Sequence, residues 1–161
     1  MIGKVGTILA AAMFLAVNSG AAAAQDSGAL TSRIELERST TAADGQPAKK
    51  TYVAPDVVVP GDRVRVTLTF INRGAAPASG VNLVNPIPEG LAYDGTDDAA
   101  GFGVSVDAGK NFGPLADLAV PVEGSVPRPA TTADVTHVRW LWPDAIASGE
   151  SRSVAFFGRV R

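Results

Sequence analysis

The sequence predicts an all-β fold, an antiparallel β-sandwich of roughly seven to nine short strands. Apolar and polar residues alternate with period two in several separate runs. Clusters of Gly, Pro, Asn and Asp divide those runs at nearly regular spacing. No segment sustains a helical period.

The clearest strand is Arg63 to Phe70. Val64, Val66, Leu68 and Phe70 fall on one face, and Arg63, Arg65, Thr67 and Thr69 on the other. Val81 to Asn85 and Phe102 to Asp107 read as shorter strands. Val138, Trp140 and Trp142 share a face opposite His137, Arg139 and Leu141. The last strand spans Ser151 to Arg161, with Val154, Phe156 and Val160 inward and Phe157, Arg159 and Arg161 on a solvated outer face. Upstream, Ile34 and Leu36 alternate with Glu35 and Glu37, and Lys50 to Ala54 is placed to pair with them across the polar loop Ser39 to Lys49. Turn chemistry marks the joints at Asp44-Gly45, Pro60-Gly61-Asp62, Asn72-Arg73-Gly74, Pro86 to Gly90, Asp107 to Gly109 and Ser148-Gly149-Glu150. Residues 112–122 are the one place where a turn of helix fits.

The N-terminus reads as a targeting segment. Lys4 precedes an apolar run from Val5 to Val17, and Ala21 to Ala24 supply an A-x-A site. The run is shorter than the ~20 apolar residues of a membrane span. Cleavage after Ala24 is expected, with Gln25 as the first mature residue and no stable membrane span afterwards. The organisation expected is 1–24 signal peptide, 25–56 N-terminal β segment or hairpin, and 57–161 sandwich core. Roughly 140 mature residues suffice for one self-supporting core. With no cysteine, disulfides, thiolate metal sites and a lipid-modified N-terminus are excluded. The formal net charge of −2 argues against nucleic acid and anionic membranes as partners, since both select basic surfaces.

One stretch carries a family resemblance. Pro60-Gly61-Asp62 leads into Val64 to Phe70 and Asn72. The small-residue loop Arg73 to Ser79 follows, then Val81 to Asn85 and Pro88-Glu89-Gly90-Leu91-Ala92-Tyr93. Ala147-Ser148-Gly149-Glu150 then precedes the last alternating run. In order and spacing these resemble the Ig-like "conserved repeat" domain of bacterial surface and secreted proteins (domain of unknown function 11). The resemblance covers most of 57–161 and is weakest over 94–135. It implies an Ig-like β-sandwich and no general catalytic residues. Members of that family usually carry several repeats and a wall anchor. A single copy points instead to a small exported protein that works alone or assembles non-covalently.

Several constellations carry possible chemistry. Ser105-Val106-Asp107-Ala108-Gly109-Lys110-Asn111-Phe112 resembles an Asp-box, S-x-D-x-G-x-T-W/F, and reads as an Asp-stabilised hairpin turn. Asp94, Asp97 and Asp98 flank Gly95 in an oxygen-rich loop of the kind calcium prefers, without the ligand order of an EF-hand. His137, the one histidine, has no evident nucleophile or acid partner. Trp140 and Trp142 are placed for core packing, with sugar binding as the rival role.

The expectation is therefore a non-catalytic structural or interaction protein of the bacterial cell envelope, with a surface or fibre component as one form. Its partner would be protein, either itself or another envelope component. The alternative is a soluble glycan- or calcium-binding module. No catalytic, cofactor or metal residue is assigned. The expected location is the periplasm, the extracellular space or the cell surface. Strand donation by Ala29 to Ala54 is one route to assembly.

Overall fold

The computed structural model describes residues 28–40 and 49–161, with Thr40 through its backbone alone. The expected signal peptide and most of the Ser39–Lys49 loop lie outside the described residues. Ten strands are present among the described residues: β1 (Gly28–Thr40), β2 (Lys49–Val53), β3 (Arg63–Asn72), β4 (Val81–Pro86), β5 (Leu91–Tyr93), β6 (Phe102–Ser105), β7 (Ala119–Val122), β8 (Ser125–Pro129), β9 (His137–Trp142) and β10 (Ser151–Val160). That exceeds the expected seven to nine. They form a five-stranded sheet ordered β2-β1-β3-β10-β5, a three-stranded sheet ordered β4-β9-β6, and a separate β7–β8 hairpin. Every ladder is antiparallel.

The period-two pattern of β3 explains its central place. Val64, Val66 and Leu68 are buried on its inner face. Its backbone pairs with β1 from Gly28↔Asn72 to Leu36↔Val64 and with β10 from Ser151↔Ile71 to Arg159↔Arg63. One core draws on both sheets: Val66, Leu68, Tyr93, Val154 and Phe156 from the larger, Leu83, Val104, Val138, Trp140 and Trp142 from the smaller. The Trp140 indole is fully buried and donates its N–H to the Asp98 carbonyl at 2.7 Å, which removes the cost of desolvating it. The Phe102 ring packs 4.9 Å from the Trp140 ring and 6.1 Å from that of Tyr93.

Turn residues behave as their chemistry requires. Gly61 has φ +94°, and Asp62 closes the turn by accepting the Val59 N–H at 3.0 Å. The prolines of 86–90 carry the chain out of β4, and Leu91 N–H returns to the Pro88 carbonyl at 3.0 Å. Asn72 is buried where β3 ends. Its amide donates to the carbonyls of Ala76 and Ile146, both at 2.9 Å, and its Oδ1 accepts the Gly74 N–H at 3.0 Å.

Residues 112–122 hold a 3₁₀ turn at Leu115–Asp117, where the sequence admits a turn of helix, and the chain then enters β7. Other details differ from the sequence reading. The β7–β8 hairpin was not foreseen, because Pro121, Pro127 and Pro129 interrupt any alternating pattern. The segment 25–56 contributes the β1–β2 hairpin, but β1 also pairs with β3 in the chain's own sheet. Ile34 points inward by register yet is 40% exposed, whereas Glu35 on the outer face is only 6% exposed. Phe157 lies on the polar outer face and is nonetheless buried.

Candidate functional site

The outer face of the five-stranded sheet is a closed charge lattice. Glu35 on β1 pairs with Arg65 of β3 at 2.7 Å and with Arg33 at 2.9 Å. Glu37 pairs with Arg63 at 2.9 Å and Lys50 at 3.3 Å. Arg63 reaches Asp94 at 2.7 Å, and Arg159 reaches the same carboxylate at 3.4 Å. The Arg63 guanidinium also lies 3.8 Å over the Phe157 ring, and that of Arg65 lies 3.7 Å over Tyr52. These stacks bury Phe157 on a face whose sequence pattern is polar. Burial pushes the Glu37 carboxyl up, but hydrogen bonds from Lys50 and Arg63 outweigh it and hold the group below its ordinary value. Burial, then the neighbouring Asp94 charge, pushes the Tyr93 phenol up to about 12. Each of the five cations in this lattice reaches a carboxylate, and Glu35, Glu37 and Asp94 are shared among them.

The acidic loop is also committed. Asp94 serves Arg63 and Arg159. The Asp98 carboxylate accepts the Ala155 N–H at 2.7 Å, while Thr96 donates its hydroxyl to the Ala155 carbonyl at 2.6 Å. The loop thus continues the edge of β10. Asp94, Asp97 and Asp98 are not gathered into one ligand set, and no group of three His, Asp or Glu placed to hold a metal ion exists among the described residues.

The Asp-box residues form an Asp-centred turn. Asp107 Oδ1 accepts the N–H groups of Lys110 and Asn111 and the Ser105 hydroxyl, and Oδ2 accepts the Asn111 side-chain amide at 2.6 Å. The Asn111 N–H, then the Ser105 hydroxyl, hold this carboxyl well below the usual range. Ala108 and Gly109 take φ +61° and +81° at the tip. The turn brings Gly113 into a two-bond bridge with Val104, which covers the open side of β6. His137 lies against Gly109, with Nδ1 3.1 Å from the Thr136 hydroxyl, which itself donates to the Ser105 carbonyl at 3.1 Å.

A cleft at the start of β6 and the end of β9 differs from all of these. It has a volume of about 570 Å³ and is lined by Phe102, Arg139, Leu141, Trp142, Asp144 and Arg152, together with Ala100, Gly101 and Pro143. Gly101 has φ +70°, and a Cβ there would overlap the Leu141 carbonyl. The bare backbone lets the two segments meet through the hydrogen bond from Leu141 N–H to the Gly101 carbonyl at 2.9 Å. A neighbouring hollow of about 460 Å³ shares Ala100, Trp142 and Arg152 and adds Asp97 and Ser153. The tryptophans do not offer an open sugar platform. Trp140 is core, and Trp142 is 5% exposed with the Arg152 guanidinium 5.3 Å from its ring centre.

The two cleft arginines are electrostatically open. Arg33, Arg38, Arg63, Arg65, Arg128 and Arg159 all have carboxylate partners. Arg139 and Arg152, like Arg73 and Arg161 elsewhere on the surface, have none within 4.0 Å among the described residues. Arg139 is held by its stack on Phe112, 4.6 Å from the ring centre, and its Nε is buried without a hydrogen-bond partner. A buried donor left in that state costs about 1–3 kcal/mol. The sequence showed both residues, 13 positions apart on different strands, but nothing in its pattern placed them in one cleft.

A second distinctive surface lies along β1 and β2. Leu30 and Ile34 face inward by register but are 49% and 40% exposed. Val53 of β2 and Val57, Val58 and Val59 extend this apolar margin. A groove of about 260 Å³ opens within it, lined by Ile34, Pro55, Val58, Val64, Leu91 and Val160 among others. No helix among the described residues is long and apolar enough to cross a membrane. No family model matches this chain, and neither a curated protein nor a solved structure matches it.

Proposed function

We propose that the chain is a non-catalytic exported protein of the bacterial cell envelope. It is a structural or interaction component built on one Ig-like β-sandwich of the conserved-repeat kind. Its signal peptide is removed after Ala24, and it works in the periplasm or at the cell surface. One observation carries the interaction reading: the margin of Leu30, Ile34, Val53 and Val57 to Val59 keeps large apolar side chains in water. Contiguous apolar surface of this kind marks a contact with another macromolecule. The margin borders β2, an end strand of its sheet, whose unpaired backbone groups offer a second route to pairing. The partner is a protein, and a second copy of the chain supplies the same margin for a self-complementary contact. Donation of the whole Ala29 to Ala54 segment receives less support than docking on it, since β1 already pairs along β3 in its own sheet.

The test compares the exported wild-type chain with an Ile34→Glu, Val58→Glu variant, both checked for fold by circular dichroism. Light scattering gives size, and crosslinking in the fractionated native host gives partners. The expected result is assembly or a crosslinked envelope partner for the wild type, reduced in the variant. A wild-type chain that stays monomeric and uncrosslinked, or a cytoplasmic chain with an intact Met1, overturns the reading. A second reading, a soluble glycan-binding module, rests on the arginine cleft between β6, β9 and β10.

A further inference from the structure

We infer that the cleft lined by Arg139, Arg152 and Asp144 binds an acidic sugar, a pyranose carrying one carboxylate and several hydroxyls. This goes beyond the envelope reading and is independent of the β1–β2 margin. The carboxylate is the part the site selects most strongly. A guanidinium presents five N–H donors in a planar fork that matches a carboxylate. Two such groups line one cleft with no carboxylate partner among the described residues, although the arginines of the outer lattice are all paired. Asp144 lies in the same lining but forms no ion pair with either arginine. Both guanidiniums are positioned by rings instead, Arg139 by Phe112 and Arg152 by Trp142. Aromatic stacking orients the fork without using its hydrogen-bond donors.

The rest of the lining argues for a sugar over a simple anion. Phe102, Leu141 and Pro143 supply an apolar wall suited to the C–H face of a pyranose ring. Asp144 supplies acceptors that a sugar's O–H groups satisfy and that acetate cannot use. The volume of about 570 Å³ lies within the range of small-molecule sites and accommodates one or two sugar units.

Trp142 lines the cleft and Trp140 is the one other tryptophan, so intrinsic fluorescence reports occupancy. The full exported chain is titrated with sodium glucuronate and with trigalacturonate. Glucose, acetate, inorganic phosphate and an acidic peptide serve as comparison probes. Saturable binding of either uronate, well above glucose and acetate, is expected. Arg139→Gln and Arg152→Gln should each weaken it about 10- to 100-fold, the value of a charged hydrogen bond. Arg139→Lys keeps the charge but loses the fork, and is a second variant should Arg139→Gln fold poorly. Equal response to glucose, or a uronate affinity unchanged by the arginine variants, overturns the inference. Acetate or phosphate binding as tightly as uronate reduces the site to an anion site and also overturns it. Preference for the acidic peptide, or no response to any probe, does the same.

Discussion

Replacing Asn72 by Ala tests how the large sheet is joined to the loops beyond β3. The buried amide makes three hydrogen bonds, at 2.9 Å to the carbonyls of Ala76 and Ile146 and at 3.0 Å from the Gly74 N–H. At about 1 kcal/mol net for each bond, their loss costs roughly 3 kcal/mol. Two discounts apply. Ala76 is exposed, so water can reach its carbonyl. The Ile146 carbonyl keeps the Ala78 N–H at 2.9 Å. The Gly74 N–H alone is left without its acceptor. The expected loss is therefore about 2–3 kcal/mol, a fall of about 1.5 M in the urea midpoint for a domain of this size. Asn82→Ala, on the exposed face of β4, serves as the control and should change stability by less than about 0.5 kcal/mol. Asn72→Asp keeps the acceptor for Gly74 but turns a charge toward two carbonyl oxygens, so at neutral pH it should be worse than Ala. Urea unfolding followed by tryptophan fluorescence measures all three. An Asn72→Ala loss below about 1 kcal/mol, or an Asp variant as stable as wild type, refutes the claim that this side chain ties β3 to the 74–78 and 146 loops.

Two further changes probe local devices. Gly101→Ala combines a left-handed backbone with overlap of the Leu141 carbonyl, whereas Gly124→Ala meets open space at φ +68°. Urea midpoints should show a loss of about 2–4 kcal/mol for the former and clearly less for the latter, and equal losses would show that strain alone matters. Asp107→Ala tests the Asp-centred turn through pH. A carboxyl depressed on folding adds stability that is complete above its unfolded pKa of about 4 and is lost as pH falls through the lower folded value. The gap between wild type and variant should be constant near neutrality and narrow below about pH 4; a gap that persists unchanged into strong acid would rule the account out.

Local chemistry was readable wherever it acts over a few residues. The alternation of Val64 to Phe70 identified β3 and its buried face, and Val138, Trp140 and Trp142 identified the core face of β9. Pro60-Gly61-Asp62, Pro86 to Gly90 and the Asp107 turn announced themselves because turn preferences are properties of single residues and their neighbours. The hairpin of Arg33 to Arg38 with Lys50 to Ala54 was legible for the same reason.

Non-local arrangement was not readable. A period-two pattern says which side chains share a face, but burial depends on whether another layer covers that face. Ile34 and Leu36 are indistinguishable in the pattern, yet Leu36 is 1% exposed and Ile34 is 40% exposed. Phe157 sits among polar neighbours and becomes buried because Arg63 from β3 and Tyr52 from β2 close over it. Arg139 and Arg152 belong to different sheets, and folding brings them to one cleft where neither forms an ion pair with a described residue. Strand identity and turn position follow from short-range sterics and hydrogen bonding. The uncovered margin, the charge lattice and the arginine cleft follow from which distant strands become neighbours.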